Sequence, residues 1–226
     1  MHKLQQHVLK KLIMHDQQRY ADLKPKPIEG NLFTYHLNQL IKDGLINKIR
    51  DGLYELSPDG KIYADRLSLK TFEPRQQPRI VTLMVITNDK GETLLYRRLR
   101  QPMINKIGFP YGKFHVGETV TEAANRELME KTGLECKLTH RGDGYITICE
   151  NGEPVSEILF HLFTGENPTG KLIRKSKVGE AWWEKHLQPD SPDYLPSVKA
   201  LLELLEKNKN QHFFAELNFK DKRSKA

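Results

Sequence analysis

Cysteine is scarce in this sequence, with only Cys136 and Cys149 among 226 residues. Their spacing matches no metal-binding or redox motif, so a disulfide scaffold is excluded and we expect both thiols to stay reduced. No stretch approaches the roughly 18 consecutive apolar residues of a membrane-spanning helix. The first residues, MHKLQQHVLKK, lack the apolar core of a signal peptide. We therefore expect a cytoplasmic protein with no membrane partner.

An excess of positive charge is present but small, and it is unevenly placed. The chain has 36 Lys and Arg against 29 Asp and Glu, a net charge of +7. Residues 1–75 hold 13 against 9, residues 76–205 hold 17 against 17, and residues 206–226 hold 6 against 3. A basic end beside a neutral body is typical of a polyanion-binding module joined to another domain. An ordinary solvated surface would give the same composition.

The pattern along the chain predicts two domains. The segment EPRQQPR, residues 73–79, is rich in proline and glutamine and is interpreted as a linker between domains at 1–72 and 80–206. Residues 207–226 are polar and basic and are expected to form a flexible tail. After the linker, apolar β-branched runs alternate with helical patterns, which favours an α/β fold. The predicted elements there are strands at 81–86, 93–98 and 158–163 and helices at 119–131 and 197–205.

The first domain combines helical and strand patterns in a characteristic order. Apolar residues at helical spacing indicate a first helix, and Leu37, Leu40 and Ile41 form the apolar stripe of a later one that stops at Gly44. Two short alternating runs then flank an Asp51-Gly52 turn, and Ser57 with Pro58 begins a last helix. The string TYHLNQLIKDGLI followed by KIRDGLYEL resembles the winged helix-turn-helix family. That resemblance implies a small α+β domain.

The winged-helix resemblance implies that the helix after PKPIEG enters the major groove of DNA. Its outward side chains and the basic residues of the wing would then contact bases and phosphates. A winged helix that docks a protein would carry the same exposed polar residues, so both interpretations stay open. Because the helix carries one cation, useful DNA affinity would require a homodimer. The expected DNA-binding residues are Asn31, Thr34, Tyr35, Asn38, Gln39 and Lys42 on the helix and Lys48 and Arg50 on the wing.

The segment Gly112–Leu134, here called the box, carries the strongest chemical pattern in the chain. Thr119 and Glu122 have the spacing of a capping box at a helix start. Glu127 and Glu130 are three residues apart and share one face of that helix. Glycines before the helix allow a loop to curl over its start. A loop against a helix with clustered carboxylates is suited to hard cations such as Mg²⁺.

The box reads G-x5-E-x7-R-E-L-x-E-K-x-G-L and closely resembles the Nudix box of the Nudix hydrolases. The resemblance implies an α/β/α sandwich with a mixed sheet, and Mg²⁺- or Mn²⁺-dependent cleavage of a nucleoside diphosphate linked to another moiety. Glu127 and Glu130 would be catalytic. The implied roles of the remaining residues are metal ligation by Gly112, Glu127 and Glu130, structural support by Glu118, Arg126 and Gly133, and substrate binding by Arg97, Lys131 and Glu157.

The box departs from the family pattern where a second glutamate is expected and Lys131 stands instead. Two charges about 4 Å apart interact by about 4 kcal/mol at an effective dielectric of 20, so exchanging −1 for +1 weakens a dication site by several kcal/mol. Glu150, Glu153, Glu157 or Glu180 are candidates to replace the missing carboxylate. Smaller departures are Tyr111 for a glycine and His115 for a glutamate. Arg98 and Arg100 are further candidates for phosphate contacts.

Three functions agree with the sequence. The first is a Nudix hydrolase with an added DNA-binding domain. The second is a transcription regulator whose degenerate Nudix domain binds a nucleotide or nucleotide-sugar effector. The third is a Nudix protein whose winged helix docks a protein. Substrate selectivity is expected in loops near residues 99–110 and 139–157.

Overall fold

The computed structural model describes residues 1–209 and 211–220 and divides the chain into two compact units, Met1–Gln77 and Pro78–Ala226. Each unit has its own hydrophobic core. Within the described residues, no helix combines the length and apolar character needed to cross a membrane.

The first unit contains four α-helices and a small three-stranded sheet. Its sheet has the order β1-β3-β2, and all its strand pairs are antiparallel. Phe33, Leu37 and Leu40 are the buried residues of α3. Leu37 and Leu40 of the predicted stripe are thus confirmed, whereas Ile41 is only partly buried. Ser57 accepts a hydrogen bond from the Gly60 amide at the start of α4, which confirms the predicted cap. The elements are α1 (Lys3–Met14), β1 (Gln18–Arg19), α2 (Tyr20–Leu23), α3 (Gly30–Lys42), β2 (Ile46–Lys48), β3 (Leu53–Leu56) and α4 (Pro58–Arg66).

The second unit is built on an eight-stranded mixed sheet, which confirms the α/β prediction. Six strands follow the order β12-β5-β4-β10-β9-β13, while β6 pairs with β5 and β7 with β4. The strands are β4 (Arg79–Thr87), β5 (Thr93–Arg98), β6 (Ile107–Gly108), β7 (Tyr111–Lys113), β8 (Leu134–Glu135), β9 (Leu138–Glu150), β10 (Glu153–Glu166), β11 (Thr169–Gly170), β12 (Gly179–Glu184) and β13 (Phe213–Lys220). The short strands β8 and β11 pair separately, and the helices are α5 (Val120–Thr132) and α6 (Ser197–Lys207).

The central strand β4 shows that both faces of this sheet are covered. Every residue from Val81 to Ile86 is buried, and successive side chains point to opposite faces. Val81 and Leu83 face a cavity shared with Val198 of α6. Helix α5 lies beside β4 and β7, where Thr82 pairs with Gly112. The box is therefore fixed to the middle of the sheet.

The prediction of a flexible tail at 207–226 is wrong for most of the residues that the structure describes there. Phe213–Lys220 forms β13, which pairs in parallel with β9 and places Phe213 in the core. Covered and exposed residues alternate from Phe213 to Phe219, and that period suits an edge strand with one covered face. Residues 221–226 lie outside the described residues.

Two further segments differ from expectation. Part of the 73–79 linker is bound to the first unit, since the Arg75 amide donates to the Arg66 carbonyl at 2.7 Å and the Ser68 amide to Glu73 at 2.9 Å. The supposed selectivity loop at 139–157 is mostly the long hairpin of β9 and β10. The strand pairing of this hairpin extends well beyond the short apolar run at 158–163 from which a strand was predicted.

Candidate active site

Helix α5 presents the box side chains because both of its ends are well defined. Thr119 and Glu122 form the predicted capping box, with the Thr119 amide donating to Glu122 at 2.8 Å. Gly133 ends the helix in the left-handed conformation with φ 69°. A Cβ on Gly133 would lie 2.6 Å from the Lys171 carbonyl oxygen, so no other residue fits there without a shift.

Arg126 joins the loop before α5 to the helix. Its Nη2 donates to Glu118 Oε2 and to the Lys113 carbonyl, both at 2.9 Å. The Arg126 guanidinium holds the pKa of Glu118 at about 2, and the His115 amide contributes by donating to the same carboxylate. These contacts fit the structural role expected for Glu118 and Arg126.

Glu127 is buried, and each of its oxygens faces a positive or donating group. Oε1 accepts from the Lys113 amide at 3.1 Å and lies 3.1 Å from Arg126 Nη1. Oε2 lies 3.4 Å from Lys131 Nζ. A Cβ on Gly112 would fall 1.8 Å from Glu127 Cδ. The glycine at the start of the box therefore allows this carboxylate to reach the loop.

Lys131 is held in place as a partly desolvated cation. Only 13% of its side chain is exposed. Its Nζ lies 5.0 Å from the ring centre of Tyr111 and 5.6 Å from that of Tyr96, so two aromatic faces add to the ion pair with Glu127. Two departures from the box pattern, Tyr111 and Lys131, thus contact each other.

Glu130 is less constrained than Glu127. Its side chain is 56% exposed, and it pairs with Arg126 at 3.3 Å. The candidates to replace a carboxylate lie elsewhere: Glu180 is paired with Lys175 at 2.9 Å and Arg97 at 3.6 Å, and Glu157 is exposed on β10. Within residues 1–209 and 211–220, no hydrogen bond or ion pair joins Glu157 to the box. Its expected substrate role gains no support from this placement.

The Mg²⁺ or Mn²⁺ implied by the box does not fit these side chains as they stand. Glu118, Glu127 and Glu130 with Arg126 and Lys131 carry three negative and two positive charges, a net of −1, where a glutamate at 131 would give −3. A dication approaching Glu127 would meet the Lys131 ammonium, at a cost on the order of several kcal/mol. In the described part of the chain, a group of three ligand-type side chains close enough to hold an ion occurs elsewhere, at His140, Asp143 and His212.

A cavity of about 50 Å³ lies between the sheet and the start of α6. Arg98, Tyr111 and Phe109 line it, together with Met103 and Arg79. Arg98 is only 8% exposed, its guanidinium carbon lies 4.4 Å from the Tyr111 ring centre, and its Nε has no hydrogen-bond partner among the described residues. Burial lowers the pKa of Arg98. A buried donor of this kind needs an acceptor, which an ordered water or a ligand oxygen in the cavity would supply.

The structure separates two neighbouring arginines that were both candidates for substrate contacts. Because side chains alternate on β5, Arg97 points away from Arg98 and contacts Glu180 and the Trp182 ring. Of the two, Arg98 lines the cavity and Arg97 does not. The strand could be read from the sequence, but nothing in its local pattern shows which arginine faces the cavity.

In the first unit, most of the residues expected to bind DNA are solvent-accessible. Asn31, Thr34, Tyr35, Asn38 and Lys42 are exposed on α3, and Lys48 and Arg50 are exposed at the turn between β2 and β3. Gln39 is partly buried and donates to Asp43 at 2.7 Å. Thr34 Oγ1 lies 2.9 Å from the Tyr20 hydroxyl, which limits its freedom to contact a ligand.

Comparison with known proteins identifies the second unit. The family model for the NUDIX domain matches residues 77–205, more than half of the chain. The chain belongs to the Nudix family. The match begins at the boundary between the two units. It covers α5, most of α6 and every strand of the mixed sheet except β13, which lies beyond residue 205.

The similar proteins include enzymes of oxidised-nucleotide metabolism. Human 8-oxo-dGDP phosphatase NUDT18 is 28% identical over 101 residues, covering 45% of this chain and 29% of that protein. The oxidized purine nucleoside triphosphate hydrolase of Danio rerio is 26% identical over 137 residues, covering 60% and 85%. The match to the human relative thus spans less than a third of its length. A MutT protein from Bacillus halodurans has a TM-score of 0.49 with 20% identity, covering 65% and 93%.

Proposed function

We propose that the Nudix domain binds a nucleoside diphosphate derivative and that Lys131 holds hydrolysis of its phosphoanhydride far below the rate of a domain with glutamate there. The ion pair between Lys131 and Glu127 carries this proposal, since it occupies the carboxylate that would act in catalysis. In this arrangement Lys131 neutralises Glu127 and leaves the buried group satisfied. The cavity beside Arg98 and Tyr111 receives part of the ligand.

A binding function without efficient turnover suits a sensor. The first unit supports such a role, because α2 and α3 are followed by the β2–β3 hairpin, and polar side chains are exposed on α3. We propose that it is a winged helix that binds DNA through α3 and the Lys48–Arg50 turn as a homodimer. The whole protein is then a transcription regulator whose effector is a nucleotide or nucleotide sugar.

The test of the sensor proposal combines binding with turnover. Calorimetric titration of the full chain with a panel of nucleoside diphosphate derivatives, including 8-oxo-dGDP, should give saturable binding. Product analysis of the same mixtures with Mg²⁺ or Mn²⁺ should show little hydrolysis. The protein should also shift DNA fragments from its own operon at low salt, and an effector that binds the Nudix domain should change that shift. Rapid turnover of any tested ligand would contradict the sensor proposal.

Weak hydrolysis is the second candidate function, and Glu130 favours it. This carboxylate is more than half exposed and has a single ion-pair partner among the described residues. The close approach of Glu127 to Gly112 is also retained, so the box scaffold is intact. If the protein is a weak hydrolase, Glu130→Gln should abolish the residual hydrolysis. If it is a sensor, the hydrolysis by wild type is already negligible and Glu130→Gln should not change it.

A further inference from the structure

Three histidines surround one carboxylate at the edge of the sheet, away from the box helix. His140 Nε2 lies 2.7 Å and His161 Nδ1 2.6 Å from Asp143 Oδ1, while His212 Nε2 lies 3.2 Å from Oδ2. The four residues come from β9, β10 and the segment just before β13. Ligand atoms of His140, Asp143 and His212 all lie within 4.8 Å of one another.

We propose that His140, Asp143 and His212 form a binding site for Zn²⁺ or a similar imidazole-preferring dication. Neutral imidazole nitrogen and carboxylate oxygen are the donors that zinc takes together, in contrast to the all-oxygen set preferred by Mg²⁺. Tetrahedral bonds of 2.0–2.1 Å require neighbouring ligand atoms about 3.3 Å apart. His140 Nε2 lies 2.7 Å from Asp143 Oδ1 and His212 Nε2 lies 3.2 Å from Oδ2, so the two histidines approach different oxygens of the carboxylate. One ligand atom from each of the three residues lies within 4.8 Å of the other two, so small side-chain rotations bring them to this spacing.

His161 has a different part in this site. Its Nδ1 donates to Asp143 Oδ1, and its side chain is the least exposed of the four at 18%. It therefore acts as a positioning residue that orients the carboxylate, as the partners of metal ligands commonly do. The Phe114 ring, whose centre is 5.4 Å from that of His161, connects this residue to the loop before α5.

The surroundings fix the ligand histidines and leave the site accessible. The His140 ring stacks on Phe163 with a centroid distance of 4.8 Å. Arg141 Nη2 donates to the Asn208 carbonyl at 2.9 Å, which ties the chain ahead of His212 to β9. The side chains of His140 and His212 are 33% and 51% exposed. An ion can therefore enter from solvent and keep water in its fourth position.

The site joins two strands through their side chains. His140 and Asp143 belong to β9, and His212 directly precedes β13. An ion bound to all three fastens the edge strand to the sheet. Metal binding should therefore protect the β13 amides from hydrogen exchange as well as raise the thermal midpoint of the protein.

The test is titration of the metal-free full chain with Co²⁺ and Zn²⁺ alone, followed by Co²⁺ absorption and calorimetry. Wild type should bind one equivalent of Co²⁺ with a tetrahedral spectrum, and Zn²⁺ should displace it. His140→Gln and His212→Gln should each weaken binding by at least about 100-fold, and His161→Gln by about 10- to 100-fold. His186→Gln, which changes an exposed histidine outside the cluster, should leave binding unchanged.

Three results would overturn the zinc proposal. The first is the absence of saturable Co²⁺ or Zn²⁺ binding to wild type below millimolar concentration. The second is equal binding by wild type and His212→Gln, and the third is loss of the Co²⁺ spectrum in Glu130→Gln, because each of these two would place the ion elsewhere. Because His212 is half exposed, its substitution should leave the fold intact, and circular dichroism checks this.

Discussion

The ammonium of Lys131 lies 3.4 Å from the Oε2 of Glu127, one helical turn before it in α5. The resemblance of the box to the Nudix pattern leads us to expect a carboxylate at both of these positions. Arg126 approaches the other Glu127 oxygen at 3.1 Å, so the buried carboxylate has cationic partners on both sides. The negative charge of the box is largely compensated from within the protein.

The contact between Gly112 and Glu127 should not tolerate a methyl group. In Gly112→Ala, the new Cβ would lie within 2 Å of Glu127 side-chain atoms, and the helix or loop must move. We expect destabilisation of about 1–3 kcal/mol, measured by urea unfolding, together with loss of nucleotide binding. Gly30→Ala is the control, because its Cβ would have 3.9 Å of clearance. Equal stability of the Gly112→Ala variant and wild type would refute this close approach.

The pair of Glu118 and Arg126 should remain ionised in acid. The folded pKa of Glu118 is about 2, against an ordinary 4.5. A lowered folded pKa means that the carboxylate contributes stability above pH 4.5 and loses it as the pH falls towards 2. The stability difference between wild type and Glu118→Gln should therefore shrink across this interval, as measured by urea unfolding at a series of pH values. A constant difference across this interval would contradict the assignment.

Arg98 and Arg97 provide a matched pair for testing the cavity. Arg98→Met removes a buried donor from the cavity, whereas Arg97→Met removes a cation that pairs with Glu180. A hydrogen bond to a charged group contributes about 1.5–3 kcal/mol, so Arg98→Met should weaken nucleotide binding by about 10- to 150-fold. Arg97→Met should change it little. Calorimetry distinguishes the two, and the reverse order of effects would assign the site to Arg97.

The charges at the β2–β3 turn should set the salt dependence of DNA binding. Lys48→Ala and Arg50→Ala should each lower the slope of log K against log salt by about 1, because each contact releases a counterion. Asn38→Ala should instead reduce discrimination between sequences. Lys61→Ala, an equal charge change on exposed α4, is the control. Fluorescence anisotropy at several salt concentrations checks this, and equal slopes for all variants would favour a protein-docking winged helix.

Much of the fold was predictable where short-range patterns determine it. The capping box at Thr119, the cap at Ser57 and the strand at Val81–Ile86 follow from residue types a few positions apart. Strand β13 was missed because its three phenylalanines are spread through a polar, basic segment. Parallel pairing with β9, more than 60 residues earlier, stabilises this strand. The sequence near β13 contains no sign of such a distant partner.

The residues of the candidate site also fall into two groups, those that a local sequence pattern predicts and those that only the folded sheet brings together. The roles of Gly112, Glu118, Arg126 and Gly133 follow from a dense local motif. The choice of Arg98 over Arg97 depends on which face of β5 meets α6, and the histidine cluster depends on strand register. Single histidines separated by tens of residues are usually ordinary surface or core residues, so only the assembled sheet reveals their convergence on Asp143.

The most direct test of the account is the rate of hydrolysis by Lys131→Glu beside wild type, with Lys131→Gln as the control that removes the cation without adding a carboxylate. All three variants would be assayed on the same nucleoside diphosphate panel with Mg²⁺ or Mn²⁺. We predict that Lys131→Glu gains metal-dependent turnover of at least about 100-fold over wild type, equivalent to about 2.7 kcal/mol of barrier, and that Lys131→Gln gains far less. Efficient wild-type turnover that Lys131→Glu leaves unchanged or lowers would contradict the central claim.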